Sequence, residues 1–276
     1  MAILITGGKG FVGSALVSFL KKKGREVFLF EGDISDRESI LKFNSVRHID
    51  AIIHLAGVLN QKNVAIFRRI NIEGTRNIVD LGKKIGVDKL IFVSSIRVLS
   101  SLSNPYIDSK REAEKIVKNS GLPYIILRPS IIYGPGDNKN IGLIIRVAKF
   151  MPLMPSLNFN MQPIFIDDII KIIDACLEYQ TETILNISGQ EIITFDDVLR
   201  KLKSLNYKFY IINQPLLFSF VVKLISLFPL FPLTSWQVRG LFAKEVFSGS
   251  SWPELFNVNP TLFSEGILKT IETSKH

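Results

Sequence analysis

The 276 residues predict an α/β chain: a doubly wound parallel sheet with a smaller C-terminal substrate lobe interleaved with its end. Short β-branched runs alternate with amphipathic segments, which is the pattern of βαβ units. The first of these runs leads straight into a glycine-rich turn. Beyond residue 128 the texture changes, because Pro and Gly recur in "RPSIIYGPGD" and "FMPLMPSLNFNMQP" and the last third becomes aromatic and apolar.

Taken in order, "AILIT" (2–6) is the first strand, and the helix after it runs from about Phe11 to Lys23. "KKKGR" (21–25) reads as the basic C-terminus of that helix with Gly24 as its cap. "EVFLF" (26–30) is the second strand. "AIIHLAG" (51–57), "KLIFVSS" (89–95), "YIILRPS" (124–130) and "TILNIS" (183–188) bring the sheet to six, each preceded by a segment that reads helical. No repeat or Gly/Ser linker divides the chain, so residues 1–276 read as one domain: a sheet core of about 1–128 and 163–188, and a lobe of about 129–162 and 189–276. Ligands in such folds bind outside the carboxyl ends of the strands, where a lobe would close over them.

With 47% hydrophobic and 21% charged residues the chain can bury a sizeable core. Its formal charge of +9 suits an anionic partner such as a nucleotide, a sugar nucleotide or an acidic membrane surface. Nucleic acid is not expected, since no aromatic residues interleave with a basic run. One cysteine, Cys176, excludes an internal disulfide, and three histidines offer no zinc spacing, so the chain reads as metal-free and cytoplasmic. Its start, "MAILITGG", enters a strand without the features of a secretion signal. Residues 215–233 carry a single charge, Lys223, and approach the ~20 residues of a membrane span. Pro229 and Pro232 break that run, so it reads as a buried or lobe-covering helix, with a membrane-surface contact through Phe218–Phe231 as the lesser alternative.

"TGGKGFVG" places Gly7, Gly10 and Gly13 between the first strand and the first helix, which opens at Phe11 and Val12. A pyrophosphate requires small residues there: the turn is tight, the backbone approaches the phosphates, and helix packs on strand without an intervening Cβ. Glu31, eighteen residues beyond Gly13, suits a ribose 2′-hydroxyl and favours NAD. Asp33 is the alternative beside the adenine, and Arg37 keeps NADP open through its 2′-phosphate.

"NPYIDSK" (104–110) holds the chemistry. Lys110 falls four residues after Tyr106, on the same helix face, and Asn104 with Pro105 would start that helix at the tyrosine. A tyrosine that exchanges a hydroxyl proton during hydride transfer needs a nearby cation, because its ordinary pKa near 10 leaves it protonated at neutral pH. Ser95, at a strand end, would bind the substrate oxygen. His54 and Cys176 read as packed residues, and Asp167 and Asp168 as openers of a helix. Arg128 and Tyr133 are placed either to reach a substrate or, for Arg128, to pair with an acid.

Together, "TGGKGFVG", "HLAG" (54–57), "NIEGT" (71–75), "VSS" (93–95), "YIDSK" (106–110) and "LRPSIIYGPGD" (127–137) resemble the short-chain dehydrogenase/reductase superfamily, in its NAD-dependent epimerase/dehydratase branch. The resemblance implies a Rossmann-type fold and a Ser95, Tyr106, Lys110 catalytic set. It implies a cofactor site drawn from Gly7, Gly10, Phe11, Val12, Gly13, Glu31, Asp33, Ile34, Leu55, Ala56, Gly57, Asn71 and Lys110. The short link of eleven residues from Ser95 to Tyr106, "QPIFIDDII" (162–170) and "FPLTSWQVRGLFAKEVFS" (231–248) resemble the atypical subgroup that includes the NAD(P)H-binding accessory subunit of respiratory complex I. Sugar-nucleotide epimerases usually carry a longer link there, which lines the substrate pocket.

The expected function is therefore an NAD(P)-dependent oxidoreductase or epimerase/dehydratase acting on a hydroxyl or keto carbon. Its partner is a small molecule, with a sugar nucleotide among the candidates, and a homodimer is compatible with the chain. The alternative is a non-catalytic NAD(P)H-binding assembly or sensor protein at a membrane-bound partner.

Overall fold

The structure is a computed structural model that describes residues 1–43, 48–59, 61–157, 159–213, 247, 249 and 251–273. The apolar run at 215–233 and all but Phe247 of 231–248 lie outside the described residues. The chain forms two compact units, Met1–Ser130 with Ile166–Ile187 and Gly249–Asn259, and Ile131–Phe165 with Ser188–Ser248 and Pro260–His276.

The first unit is built on six parallel strands. In chain order it comprises β1 (Ala2–Thr6), α1 (Phe11–Lys22), β2 (Glu26–Phe30), α2 (Arg37–Leu41) and β3 (Ala51–His54). There follow α3 (Val64–Phe67), a π turn (Arg68–Glu73), α4 (Gly74–Ile85), β4 (Lys89–Val93), a 3-10 turn (Ile96–Leu99), α5 (Pro105–Lys118) and β5 (Tyr124–Pro129). The second unit contributes β6 (Ile132–Tyr133), α6 (Ile141–Phe150), β7 (Leu153–Pro155), β8 (Asn160–Met161) and β9 (Ile164–Phe165) before the chain returns to the first in α7 (Ile166–Glu178) and β10 (Thr183–Ile187). The strands lie in the order β10-β5-β4-β3-β1-β2. The chain leaves β1 toward β2 on one side and crosses back to β3 on the other, so the sheet has its switch point at the end of β1.

These strands read as continuous apolar runs because both faces are covered. Leu4, Ile52, Leu90, Phe92 and Ile126 share a core with Ile40 of α2, Ile78 and Leu81 of α4, and Ala113 and Val117 of α5. The intervening residues Ile3, Ile5, Ile53 and Ile91, each fully buried, alternate to the other face. There α1 packs against α7. Each such side chain contributes about 1.5–3 kcal/mol relative to exposure. The basic cluster after α1 is used within this unit: Gly24 takes a left-handed φ of +74°, Lys23 pairs with Asp174 at 2.6 Å, and Arg25 with Glu178 at 2.7 Å. Lys89 in turn closes the C-terminus of α7, donating to the carbonyls of Cys176, Leu177 and Tyr179 at 3.1, 2.7 and 2.6 Å.

The second unit continues with β11 (Ile193–Thr194), α8 (Phe195–Ser204) and β12 (Tyr210–Ile212), pairing its short strands as β11 with β8, β12 with β7 and β6 with β9. Thr194 and Asp197 cap α8 reciprocally. The chain returns to the first unit in α9 (Trp252–Phe256), which sits on α7 there, and α10 (Phe263–Thr273) of the second unit ends the described chain. Gly266 of α10 lies against Tyr133 and Phe165, where a Cβ would come within 2.3 Å of the tyrosine oxygen.

Candidate active site

The glycine loop is a cradle made by close approach. Gly7 has φ +73°, and its carbonyl accepts from Gly10 N at 3.0 Å. A Cβ on Gly13 would stand 2.1 Å from that same carbonyl oxygen, and one on Gly7 would stand 2.7 Å from Ala56 N. Gly10 begins α1 without a side-chain cap, so the positive end of a twelve-residue helix at Phe11, Val12 and Gly13 is left to an anion. Only glycine permits both the turn and the packing.

Glu31 follows the last residue of β2 directly and is exposed, with Lys9 of the glycine loop 3.0 Å from its carboxylate. Asp33 is exposed as well, and its carboxylate is engaged within its own loop. Its Oδ1 accepts from the amide and hydroxyl of Ser35 at 2.8 and 2.7 Å, bonds that, with Arg69 at 3.8 Å, hold its carboxyl below the ordinary range. Ile34 is buried against Gly74 and its carbonyl accepts from Asn77 Nδ2 at 3.0 Å. Arg37, kept in reserve for a 2′-phosphate, pairs with Asp80 of α4 at 3.0 Å.

Past β3, Leu55, Ala56 and Gly57 cross the end of β1, tied by one buried chain of hydrogen bonds. Thr75 Oγ1 donates to Asn71 O at 2.7 Å, so at its 3.1 Å contact with His54 Nε2 it accepts. That places the proton of His54 on Nε2 and leaves Nδ1 to accept from Thr6 Oγ1 at 2.6 Å, while Thr6 Oγ1 accepts from Ala56 N at 3.3 Å. Burial drives the pKa of His54 down to about 3, so it is a neutral strut and not a base. Asn71 sits inside the π turn, the kind of irregularity that often marks functional positions. Its side chain exchanges bonds with Val58, accepting at 2.8 Å and donating at 3.0 Å, and donates to Ser109 Oγ at 2.9 Å. Ser109 passes the link to the backbone carbonyl of Tyr106 at 2.7 Å.

Ser95 and Tyr106 meet beyond the end of β4, and Lys110 reaches the last carbonyl of that strand. Asn104 Oδ1 accepts from Ile107 N at 2.9 Å and Pro105 opens α5, which puts Tyr106 in the first turn and Lys110 one turn on. Burial pushes the Tyr106 phenol above its ordinary pKa, against a hydrogen bond with Ser95 and the charge of Arg97, both of which draw it down. Phe67 packs edge-on to the ring at 6.3 Å. Lys110 Nζ donates to Val93 O at 2.9 Å, lies over the Phe92 ring at 4.4 Å, and would be 3.9 Å from a Cβ on Gly57. The same imagined Cβ would be 3.2 Å from Asn71 Oδ1, so Gly57, Asn71 and Lys110 border one gap.

Lys110 carries a pH signature. Burial lowers its pKa from 10.5 to about 8, Glu114 opposing. The unfolded chain therefore binds more protons between those values, and stability rises with pH from about 8 toward 10.5. In Lys110→Met that rise is absent, as urea unfolding at pH 7.5 and 9.5 checks; equal pH slopes in both proteins would show that the ammonium is not buried.

Residues 3–188 match the family described as "NAD dependent epimerase/dehydratase family". The chain belongs to that family. Among curated relatives it is 31% identical over 219 residues to a UDP-glucose 4-epimerase of Vibrio cholerae, covering 64% of this chain and 67% of that one. It is 28% identical over 222 residues to the mitochondrial NADH dehydrogenase (ubiquinone) 1 alpha subcomplex subunit 9 of Dictyostelium discoideum, covering 71% and 61%. Others are named as dehydrogenases and reductases, and the chain spans only about half of their length. A solved UDP-glucose 4-epimerase of Thermus thermophilus, in complex with NAD, shares the fold at TM-score 0.77 and 20% identity, over 100% of this chain and 99% of that one.

Several residues of this cluster were not legible from the pattern. Arg97 sits in the 3-10 turn after β4, too short to show a periodicity, and Thr6, Thr75 and Ser109 meet their partners only through strand order. Conversely, two sequence candidates are occupied elsewhere. Arg128 forms a bidentate pair with buried Glu114 at 2.8 and 2.6 Å, and Tyr133 is buried in the second unit between Phe165 and Phe263. Cys176 is fully buried with its thiol pushed up to about 12, which makes it inert. At the opposite, amino end of β3, His48, Asp50 and Asp88 approach one another, but Asp50 already accepts from Ala2 N at 2.6 Å.

Proposed function

We propose that the chain is an NAD-dependent enzyme that interconverts a carbinol and a ketone carbon on a small molecule, as a reductase or as the oxidising first step of an epimerase or dehydratase. The observation that carries it is the convergence of Ser95, Tyr106 and Lys110 with Asn71 and Gly57 at the carboxyl ends of β3 and β4. The gap left by Gly7, Gly10 and Gly13, and the uncapped start of α1, fit a pyrophosphate. From there to Ser95 is two strand spacings, β1 to β3 to β4, or roughly 10 Å. Glu31, one strand to the other side, would accept from the adenosine ribose.

NAD, when bound, supplies the hydride acceptor or donor. Ser95 Oγ holds the substrate oxygen. Tyr106 Oη gives a proton to that oxygen as the ketone is reduced, or takes one as the alcohol is oxidised. Because burial raises its pKa, the phenol is protonated at neutral pH and stands ready as the acid. Lys110 Nζ, held by the Val93 carbonyl, would donate to the nicotinamide ribose, and Arg97 supplies charge that draws the phenol pKa down. The short Ser95–Tyr106 link leaves little chain to line an ordinary sugar-nucleotide pocket. A sugar nucleotide remains one substrate class, on the strength of the UDP-glucose 4-epimerase relative. We place the enzyme in the cytoplasm; among the described residues no helix is long and apolar enough to cross a membrane.

The likeness to a complex I subunit favours a second reading, a dinucleotide-binding assembly or sensor protein that does not turn over. Incubating the protein with NADH deuterated at nicotinamide C4 and a carbonyl-compound library separates the two. Deuterium on a new carbinol carbon is the expected result; tight NADH binding with no label in any product would establish the non-catalytic reading.

A further inference from the structure

We infer that the second unit carries a docking surface for an anionic lipid bilayer, formed by the outer face of the β7–β12 ribbon and the end of α6. Parallel pairing sets Tyr210 opposite Leu153 and Ile212 opposite Pro155. Alternation then turns Met154, 4% exposed, to the interior and the paired residues outward. The outward set is large and apolar: Tyr210 is 76% exposed, Leu153 48% and Ile212 39%. Phe150, 75% exposed, and Met151, 49%, precede β7 directly and extend the same stretch. Isolated exposed apolar residues need no explanation, but five gathered on one two-stranded ribbon and its lead-in do.

The charge around this face identifies the occupant. Residues 138–165, which contain α6 and β7, hold three basic side chains and no Asp or Glu. Residues 198–213, which contain most of α8 and all of β12, hold four basic side chains; Arg200 pairs with Asp197 at 2.7 Å, which leaves Lys201, Lys203 and Lys208, while Asp196 is taken up by Ser156 and Leu157. Lys149 and Lys208, both exposed, stand one residue before Phe150 and two before Tyr210. Aromatic and aliphatic side chains set among lysines that meet no carboxylate among the described residues match the boundary between acyl chains and anionic headgroups, where each cation near the surface contributes about 1 kcal/mol. A second copy would bring the same positive charge against itself. The assignment does not depend on the catalytic reading.

Vesicle co-sedimentation tests it with the full chain. Wild type should pellet with phosphatidylcholine vesicles containing 30% phosphatidylserine, and should bind pure phosphatidylcholine at least tenfold more weakly. Phe150→Glu/Tyr210→Glu changes two side chains about three-quarters exposed, so it should fold normally. It should also keep its NADH affinity while losing at least tenfold in vesicle binding. The inference is overturned if wild type does not pellet, if the double variant pellets like wild type, or if the variant merely converts a dimer to a monomer in sedimentation equilibrium without changing vesicle binding.

Discussion

Tyr106→Phe should lose turnover by ~10²–10⁴-fold while NADH affinity stays within twofold of wild type. Phe keeps the ring that Phe67 packs against and removes only the hydroxyl that meets Ser95. Folding should be unaffected, because the ring's burial is unchanged. The pH dependence separates this role from a packing role. Burial raises the phenol pKa, so reduction of a ketone, which needs the protonated phenol, holds its rate through neutral pH and falls in the alkaline range. Oxidation, which needs the phenolate, rises with pH across the same range. Steady-state rates in both directions from pH 6 to 10 check this. Turnover in the Phe variant within threefold of wild type would remove Tyr106 from the chemistry.

Gly13→Ala should abolish NADH binding, with at least a hundredfold loss of affinity by fluorescence titration. The new methyl would stand 2.1 Å from Gly7 O and 2.8 Å from Gly8 Cα, both backbone atoms that cannot rotate away. Loop and helix must separate, which spoils the cradle and costs about 1–3 kcal/mol or more of overpacking strain. Gly24→Ala is the control. That position also has positive φ, at +74°, but nothing lies within 4 Å of the added Cβ. It should therefore show only the ~1–2 kcal/mol penalty of a left-handed non-glycine residue and leave NADH binding unchanged. If Gly13→Ala bound NADH as well as Gly24→Ala, the loop would not be the pyrophosphate site.

Much of this architecture is written in local pattern. The six strands of the sheet fall where the β-branched runs do, and α1 starts at Phe11 and ends at Lys22, one residue short of the expected end. Asn104 and Pro105 begin α5 as their types dictate. Arg37, held open for a 2′-phosphate, pairs with Asp80 at 3.0 Å because α2 packs beside α4, a neighbour that the local pattern does not give. Arg128, left between a substrate and an acid, took the acid because α5 lays Glu114 beside β5.

What the sequence determined alone were features whose partners lie within a turn or a pleat: strand runs, helix caps, the glycine spacing, and the i, i+4 placement of Tyr106 and Lys110. Their signals repeat at 2 or about 3.6 residues and need no knowledge of neighbours. Only the tertiary structure decided the links that hold the site in place, from Thr6 to His54 across 48 residues and from His54 to Thr75 across 21. It also decided that Tyr106 is buried against Ser95, while Lys110 turns to Val93, Phe92 and the gap at Gly57. Those contacts follow from the strand order β10-β5-β4-β3-β1-β2, which sets distant segments side by side and which no periodicity in the chain encodes.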